Sequence, residues 1–339
     1  MVDIETGERR IVTLRDVATA SGVSISTVSR VLDDRTPRSA SATAERVRAV
    51  ADELGYRRNV SASSLRRGVT ATIGVLVPRL TDAVMALMFE AIERAAHRRG
   101  YFAVVATCGD DVDEERRATE TLLGRGVDGL VLATARLDDA LPASLRDRGI
   151  PHVLALRTDG VSPSSLGDDE TGGYLAVRHL LDLGHRDIGI VTGPWFTSSG
   201  RDRRAGAERA LREAGVELAE ERVLAVGYGL DHGIEAAHSL LDTRDRPTAV
   251  FAANDNLALG MSSVAQALGM ATGRDLSLVG YNDIPLVSRL PVPLTSVHTH
   301  FDRIAETALD LLLAPETPAR IERTMPTLIP RSSTAAVTR

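Results

Sequence analysis

Two groups of residues have types and spacings suited to chemistry. In DVATASGVSISTVSRVL, Asp16 to Leu32, a short apolar stripe of Val28, Val31 and Leu32 leaves Ile25, Ser26, Ser29 and Arg30 facing solvent, with Ser24 and Thr27 beside them. On a helix in a major groove, arginine can bond a guanine edge bidentately, serine can meet several bases, and an aliphatic side chain can pack on a thymine methyl. The same spacing also fits a solvated face on a small helical bundle. The second group stands where apolar runs end: Thr81 and Asp82, Arg157 and Asp159, Asn254 and Asp255, Asn282 and Asp283. Amides and carboxylates there suit recognition of hydroxyl groups, because a buried polar group left unpaired costs about 1 to 3 kcal/mol. Each of these residues can equally cap the helix that follows it.

The elements that must position the first group are short helices. Thr13 can cap a helix with Asp16 at its third position, and Leu14, Val17 and Ala18 share one face. Gly22 suits a tight turn and Ser24 a second cap. A third stripe, Val47, Val50, Ala51 and Leu54, ends at Gly55. Helices joined through a short glycine-bearing turn match the helix-turn-helix pattern, whose second helix enters the major groove. After Gly55, YRRNVSASSLRRG is too short to hold a helix alone and reads as a linker. Ala62 and Leu65 nevertheless share a face, so a helix formed against a twin copy would present Leu65 as a wedge for the minor groove.

The second group requires strands. TIGVLVP, YFAVVATC, VDGLVLAT and HVLAL, then IGIVTGP, RVLAVGY, AVFAAN and LSLVGYN, alternate with helical stretches such as Met85 to Arg99. Near-continuous apolar runs suit strands covered on both faces, and their repetition predicts two doubly wound parallel sheets. Ligands bind beyond the carboxyl ends of such strands, which two lobes can bring face to face.

Composition agrees with this division. Every one of the 40 basic residues is arginine, and the net charge is -6. Residues 1–68 hold 12 arginines against 9 acids, a net of +3, which leaves 28 against 37, a net of -9, for residues 69–339. A basic head on an acidic body confines contact with an anionic polymer to the head. An aromatic content of 3% argues against a stacking platform for single strands. No apolar run is long enough to span a bilayer, and MVDIETGERR lacks a secretory apolar core, so a cytoplasmic protein with no membrane partner is expected. Cys108 is the single cysteine, expected to pack in a buried strand, and an intramolecular disulfide is impossible.

The order of VTLRDVATASGVSISTVSRVL, then LGYRRN and ASSLRRG, resembles the LacI/GalR family of bacterial transcription regulators. The resemblance continues through LTDAVMALMFEAIE, DDETGGYLAVRHLLDLGHRDIGIVTGP, SSGRDRRAG, FAANDNLALG and GYNDIP. It implies a helix-turn-helix head and a periplasmic-binding-protein-like body of two doubly wound lobes. Base readers would be Ile25, Ser26 and Arg30, supported by Ser24, Thr27 and Ser29. Asn59, Ala62 and Leu65 would belong to the hinge, with Leu65 intercalating. Effector contacts would be Asp82, Met85, Arg157, Trp195, Arg203, Asn254 and Asn282. Arg58 stands where the family usually has proline, Ala44 where arginine is common, Asn282 in place of aspartate, Leu156 in place of a polar residue and Thr299 in place of glutamine. As an amide, Asn282 can both donate to and accept from a sugar hydroxyl.

Other chemistry finds little support. Asp168, Asp169 and Glu170 suit a helix start better than a magnesium site. His298, Thr299 and His300 alternate as a strand would, with both imidazoles on one face but no third metal ligand evident. G-x-S-x-G, the dinucleotide fingerprint and the P-loop do not occur. The expected organisation is therefore a helix-turn-helix domain at 11–57, a hinge at 58–69 and a two-lobed effector-binding and dimerisation body at 70–330. The expected function is that of a non-enzymatic, sequence-specific DNA-binding regulator, a repressor and homodimer, without metal or cofactor. It would bind a pseudo-palindromic double-stranded operator under control of a small ligand, a sugar or related metabolite. The alternative is a solute-binding protein built on the same body.

Overall fold

The computed structural model describes residues 12–32, 39–57, 69–314 and 320–337. The chain divides into two compact units, residues 1–70 and 71–339.

The first unit carries α1 (Leu14–Ser21), α2 (Ile25–Val31) and α3 (Ala42–Glu53). Thr13 and Asp16 form a reciprocal capping box, and Gly22 closes α1 at φ +69°, a conformation that favours glycine. Ser24 and Ser41 cap the next two helices through their side chains. Val17, Val28 and Val47, one from each helix, are fully buried together. Burying each contributes about 1.5 to 3 kcal/mol, which is what short helices need to persist. Ala44, where the family commonly has arginine, is buried as well. Arg58, Asn59, Ala62 and Leu65 lie outside the described residues.

The second unit is built on two six-stranded sheets. In chain order its elements begin β1 (Thr72–Val77), α4 (Ala83–Arg98), β2 (Phe102–Thr107), α5 (Val112–Gly124), β3 (Gly129–Leu132), α6 (Leu141–Asp147), β4 (His152–Ala155) and β5 (Ser164–Gly167). There follow α7 (Asp169–Asp182), β6 (Ile188–Thr192), α8 (Ser198–Glu213), β7 (Val223–Ala225), α9 (Leu230–Leu241), β8 (Ala249–Ala252), α10 (Asp255–Ala267), β9 (Ser277–Asn282) and β10 (Thr295–His298). The chain closes with α11 (Phe301–Leu313), β11 (Ile321–Thr324) and β12 (Thr327–Ile329).

The sheet orders are β2-β1-β3-β4-β5-β11 and β7-β6-β8-β9-β10-β12. Each order reverses beside its first strand, between β1 and β3 and between β6 and β8, which places the switch points where α/β sheets bind ligands. All pairings are parallel except β12 with β10, so the fully parallel expectation fails at that edge. The eight long apolar runs all contain strands. The four strands without such runs, β5, β10, β11 and β12, are short, and the first three of them are rich in polar residues.

The lobes are also less contiguous than a repeat would make them. After β10 the chain returns to the first lobe, where Leu312 of α11 fills the space beside Gly129 and Asp302 pairs with Arg94 of α4 at 2.7 Å. β11 adds to the first sheet and β12 to the second. The expected alternation at His298 to His300 ends at His298, yet the two imidazoles still meet edge to face, centroids 4.7 Å apart. Cys108 is buried, but just beyond the end of β2.

Candidate functional site

In the head, α2 exposes Ser24, Ile25, Ser26 and Arg30, while Thr27 and Ser29 are half-buried. Ile25 is 43% exposed although aliphatic. Ser24 Oγ accepts from the Thr27 N–H at 3.2 Å, with the Ser26 and Thr27 hydroxyls at 2.8 and 2.9 Å, so the start of the helix presents a hydroxyl cluster. Val28 on the opposite side anchors α2 to the core.

In the body, strand ends from both sheets converge on a cleft of about 380 Å³. All seven residues expected to contact effector line it. Asp82 follows β1 and caps α4, Met85 lies one turn along that helix, and Arg157 follows β4. Trp195 follows β6, Arg203 is on α8, Asn254 caps α10 through Leu257, and Asn282 ends β9.

Arg203 forms the floor. Its Nε donates to Asp169 Oδ1 at 2.7 Å, its Nη1 to the Ala253 carbonyl at 2.6 Å, and its guanidinium lies 3.7 Å above the Tyr281 ring. Burial alone would lower its pKa, but the Asp169 carboxylate more than offsets this and holds the cation firmly. Asp169 is itself raised by burial against the pull of Arg203. The adjacent acids do separate work: Asp168 caps α7 and Glu170 pairs with Arg209.

Asn282 is buried with no hydrogen-bond partner for Oδ1 among the described residues. A buried acceptor without a donor is costly, and a ligand hydroxyl or N–H would satisfy it. Asn282 and Leu156 both have positive φ, +101° and +63°. Backbone strain of this kind gathers at ligand sites.

The lobes touch around the cleft. Asn256 Nδ2 donates to Asp82 at 3.2 Å, the Leu137 N–H to the Phe196 carbonyl at 2.8 Å, and the Thr158 N–H to Ser198 Oγ at 2.9 Å. Burial raises the Asp82 pKa, against the backbone N–H of Val84 and the amide of Asn256.

Not every strand-end residue belongs here. Asp159 binds Arg146 at 2.8 Å and the turn at Ser162. Asp255 is buried behind the cleft, where it accepts from Ile284 N and Ser296 Oγ, and the helix cap is Asn254 instead. Thr81 and Thr299 are not part of the lining, whereas Leu156 is. Sequence reasoning missed Tyr228, whose hydroxyl lies 3.1 Å from Thr197 Oγ1 and 3.0 Å from Ser199 Oγ. Its position at the end of RVLAVGY was a usable signal. Phe196, under Arg136 at 3.6 Å, was also missed and had no such signal.

Comparison with known proteins identifies both units. Residues 13–59 match the model for bacterial regulatory proteins of the lacI family, and residues 177–334 match a periplasmic binding protein-like domain. The HTH-type transcriptional repressor PurR of Vibrio vulnificus (strain CMCP6) is 34% identical over 307 residues, covering 89% of this chain and 91% of that protein. PurR of Erwinia tasmaniensis is 33% identical and covers 95% of this chain and 97% of that protein. Among solved structures, the lac repressor dimer bound to operator and the anti-inducer ONPF superposes with a TM-score of 0.85 at 30% identity, over 96% of this chain and all (100%) of that one. The complex of transcriptional regulator CelR with cellobiose gives 0.73 at 31%, covering 95% and 99%. The two domain matches lie on the head and the body, and the chain belongs to the LacI family of DNA-binding transcriptional regulators with a ligand-binding body.

Proposed function

We propose that the protein is a cytoplasmic, homodimeric repressor without enzymatic turnover, which binds a pseudo-palindromic operator and is controlled by a small polar ligand in the interlobe cleft. Domain limits of 11–57 for the head, 58–69 for the hinge and 70–330 for the body fit this reading. Ile25, Ser26 and Arg30 read bases, supported by Ser24, Thr27 and Ser29. Asn59, Ala62 and Leu65 act in the hinge. The single observation that carries ligand control is the convergence of strand ends from both lobes on one cleft, with Asn282 Oδ1 buried there without a partner among the described residues.

A ligand satisfying groups from both lobes biases their relative orientation, and only such a differential interaction can shift operator affinity. A hydroxyl-rich metabolite suits the lining: Asn254 and Asn282 meet hydroxyls, and Trp195 offers an aromatic face. A dimer suits the head, since one recognition helix makes few base contacts and two half-sites make a two-fold operator. Selection from a random duplex library at fixed near-physiological salt tests the reading. A recovered pseudo-palindrome, whose affinity falls with Arg30→Ala and responds to a cleft ligand, is expected. Recovery of no common sequence, with or without metabolite extract, would overturn it.

A further inference from the structure

Three arginines line the cleft, and two are neutralised. Arg79 pairs with Asp110, and Arg203 pairs with Asp169. Arg157 is different. It is only 7% exposed, yet it makes no ion pair with any carboxylate among the described residues. Its one hydrogen bond there is a long one, from Nη1 to the Thr134 carbonyl at 3.5 Å, and the Tyr228 ring lies 5.6 Å from its guanidinium.

Burying a cation without a partner is expensive, and folded proteins normally supply an anion. Asp82 shares the cleft but is already engaged by the Val84 N–H and the Asn256 amide. Burial raises the Asp82 pKa although the nearby Arg157 cation pulls it down, so the attraction between the two does not amount to an ion pair. Arg157 therefore keeps donors in the planar fork that matches carboxylate and phosphate oxygens. The cleft volume of about 380 Å³ is ample for a small metabolite carrying such a group.

We propose that Arg157 binds an anionic group of the effector, so that the ligand is a polar metabolite bearing a carboxylate or a phosphate. This rests on the reading of the cleft as the effector site. Arg157 supplies the charge contact from the first lobe, while Asn254 and Asn282 meet uncharged polar groups from the second. The anion gives Arg157 the ion pair that no carboxylate among the described residues provides, so binding is selective against neutral analogues of the same shape.

The chain contains one tryptophan, Trp195, and it lines the same cleft, so its fluorescence reports on the site directly. Sodium phosphate and sodium acetate would be titrated against sodium chloride at constant ionic strength, following Trp195 emission. A saturable change with phosphate, acetate or both is expected, at least tenfold weaker in Arg157→Met and retained in Arg274→Met, an exposed substitution of equal charge. Response to phosphate alone assigns a phosphorylated ligand, and response to acetate assigns a carboxylate-bearing one. If Arg157→Met fails to fold, Arg157→Lys is expected to keep a weakened response, because it retains charge without the fork. Absence of any response beyond chloride, or an equal response in Arg157→Met, overturns the proposal. Neutral sugars in place of the salts, and operator binding on the same preparation, separate this failure from failure of the functional reading. A protein that binds operator and neutral sugar but no anion refutes only the role of Arg157.

Discussion

A Cβ on Gly173 of α7 would lie 1.9 Å from the carbonyl oxygen of Arg203 on α8. The contact is reciprocal, since a Cβ on Gly206 would lie 1.8 Å from the carbonyl oxygen of Glu170. Only residues without side chains let these helices approach so closely, and the approach sets the base from which the Arg203 guanidinium reaches Asp169 and the cleft. Gly173→Ala should therefore part the helices, at a cost of about 1 to 3 kcal/mol or more because backbone must move. Thermal unfolding should fall by roughly 2 to 4 °C per kcal/mol, with loss of cleft binding.

The Asp169–Arg203 pair is buried on both sides. Asp169→Ala should destabilise by about 3 to 5 kcal/mol, because it strands a buried cation. The double variant Asp169→Leu with Arg203→Met should recover much of that loss while losing ligand binding. Urea unfolding and Trp195 titration together separate the stability effect from the binding effect.

Two buried acids give stability a particular pH dependence. Burial pushes Asp255 up to about 7, against hydrogen bonds from Ser296 and Ile284, with Asp283 adding repulsion. Burial pushes Glu115 up to about 7 too, against a hydrogen bond from Thr134 and with the neighbouring Asp139 raising it further. Both folded values exceed the ordinary 3.8 and 4.5, so the unfolded chain releases these protons first. Their contribution is complete below pH about 4, falls as pH rises toward about 7, and changes little above that. Asp255→Asn should flatten part of this decline and stabilise the protein at pH 8, where the ionised acid is most costly. Unfolding midpoints between pH 5 and 8 measure the slope, and an unchanged slope would count against the burial argument.

In the head, Arg30→Ala should weaken operator binding by about 1 to 3 kcal/mol and relax the choice of base at one position per half-site. Ile25→Ser should act chiefly at a position occupied by thymine. Competition binding against single-base operator variants distinguishes these effects from uniform weakening.

Burial pushes the Cys108 thiol up to about 12. The native protein should resist a thiol reagent near neutral pH, and the unfolded protein should titrate one equivalent. Fast labelling of the native state would show that the segment around Cys108 opens more than the packing implies.

What the sequence determined by itself was local or periodic. The box of Thr13 and Asp16, the turn at Gly22 and the cap at Ser24 act within a few residues, so α1 and α2 were legible along with the exposed face of Ile25, Ser26 and Arg30. The eight apolar runs were legible because strands buried on both faces must be apolar throughout. The seven cleft residues were legible through resemblance and through the rule that strand ends form sites.

Tertiary structure alone decided the rest. β5, β11 and β12 are short and lack a long apolar run, and they are strands only because a neighbour offers backbone partners. The return of α11 to the first lobe depends on the packing of Leu312 and Asp302, which no local pattern announces. Asn254 and Asp255 are adjacent, yet one lines the cleft and the other is buried behind it, because the start of α10 turns their side chains in different directions. Charge pairing is likewise a property of the fold. Arg79, Arg157 and Arg203 are alike in sequence, and only the placement of Asp110 and Asp169 pairs two of them and leaves the third without an ion pair among the described residues.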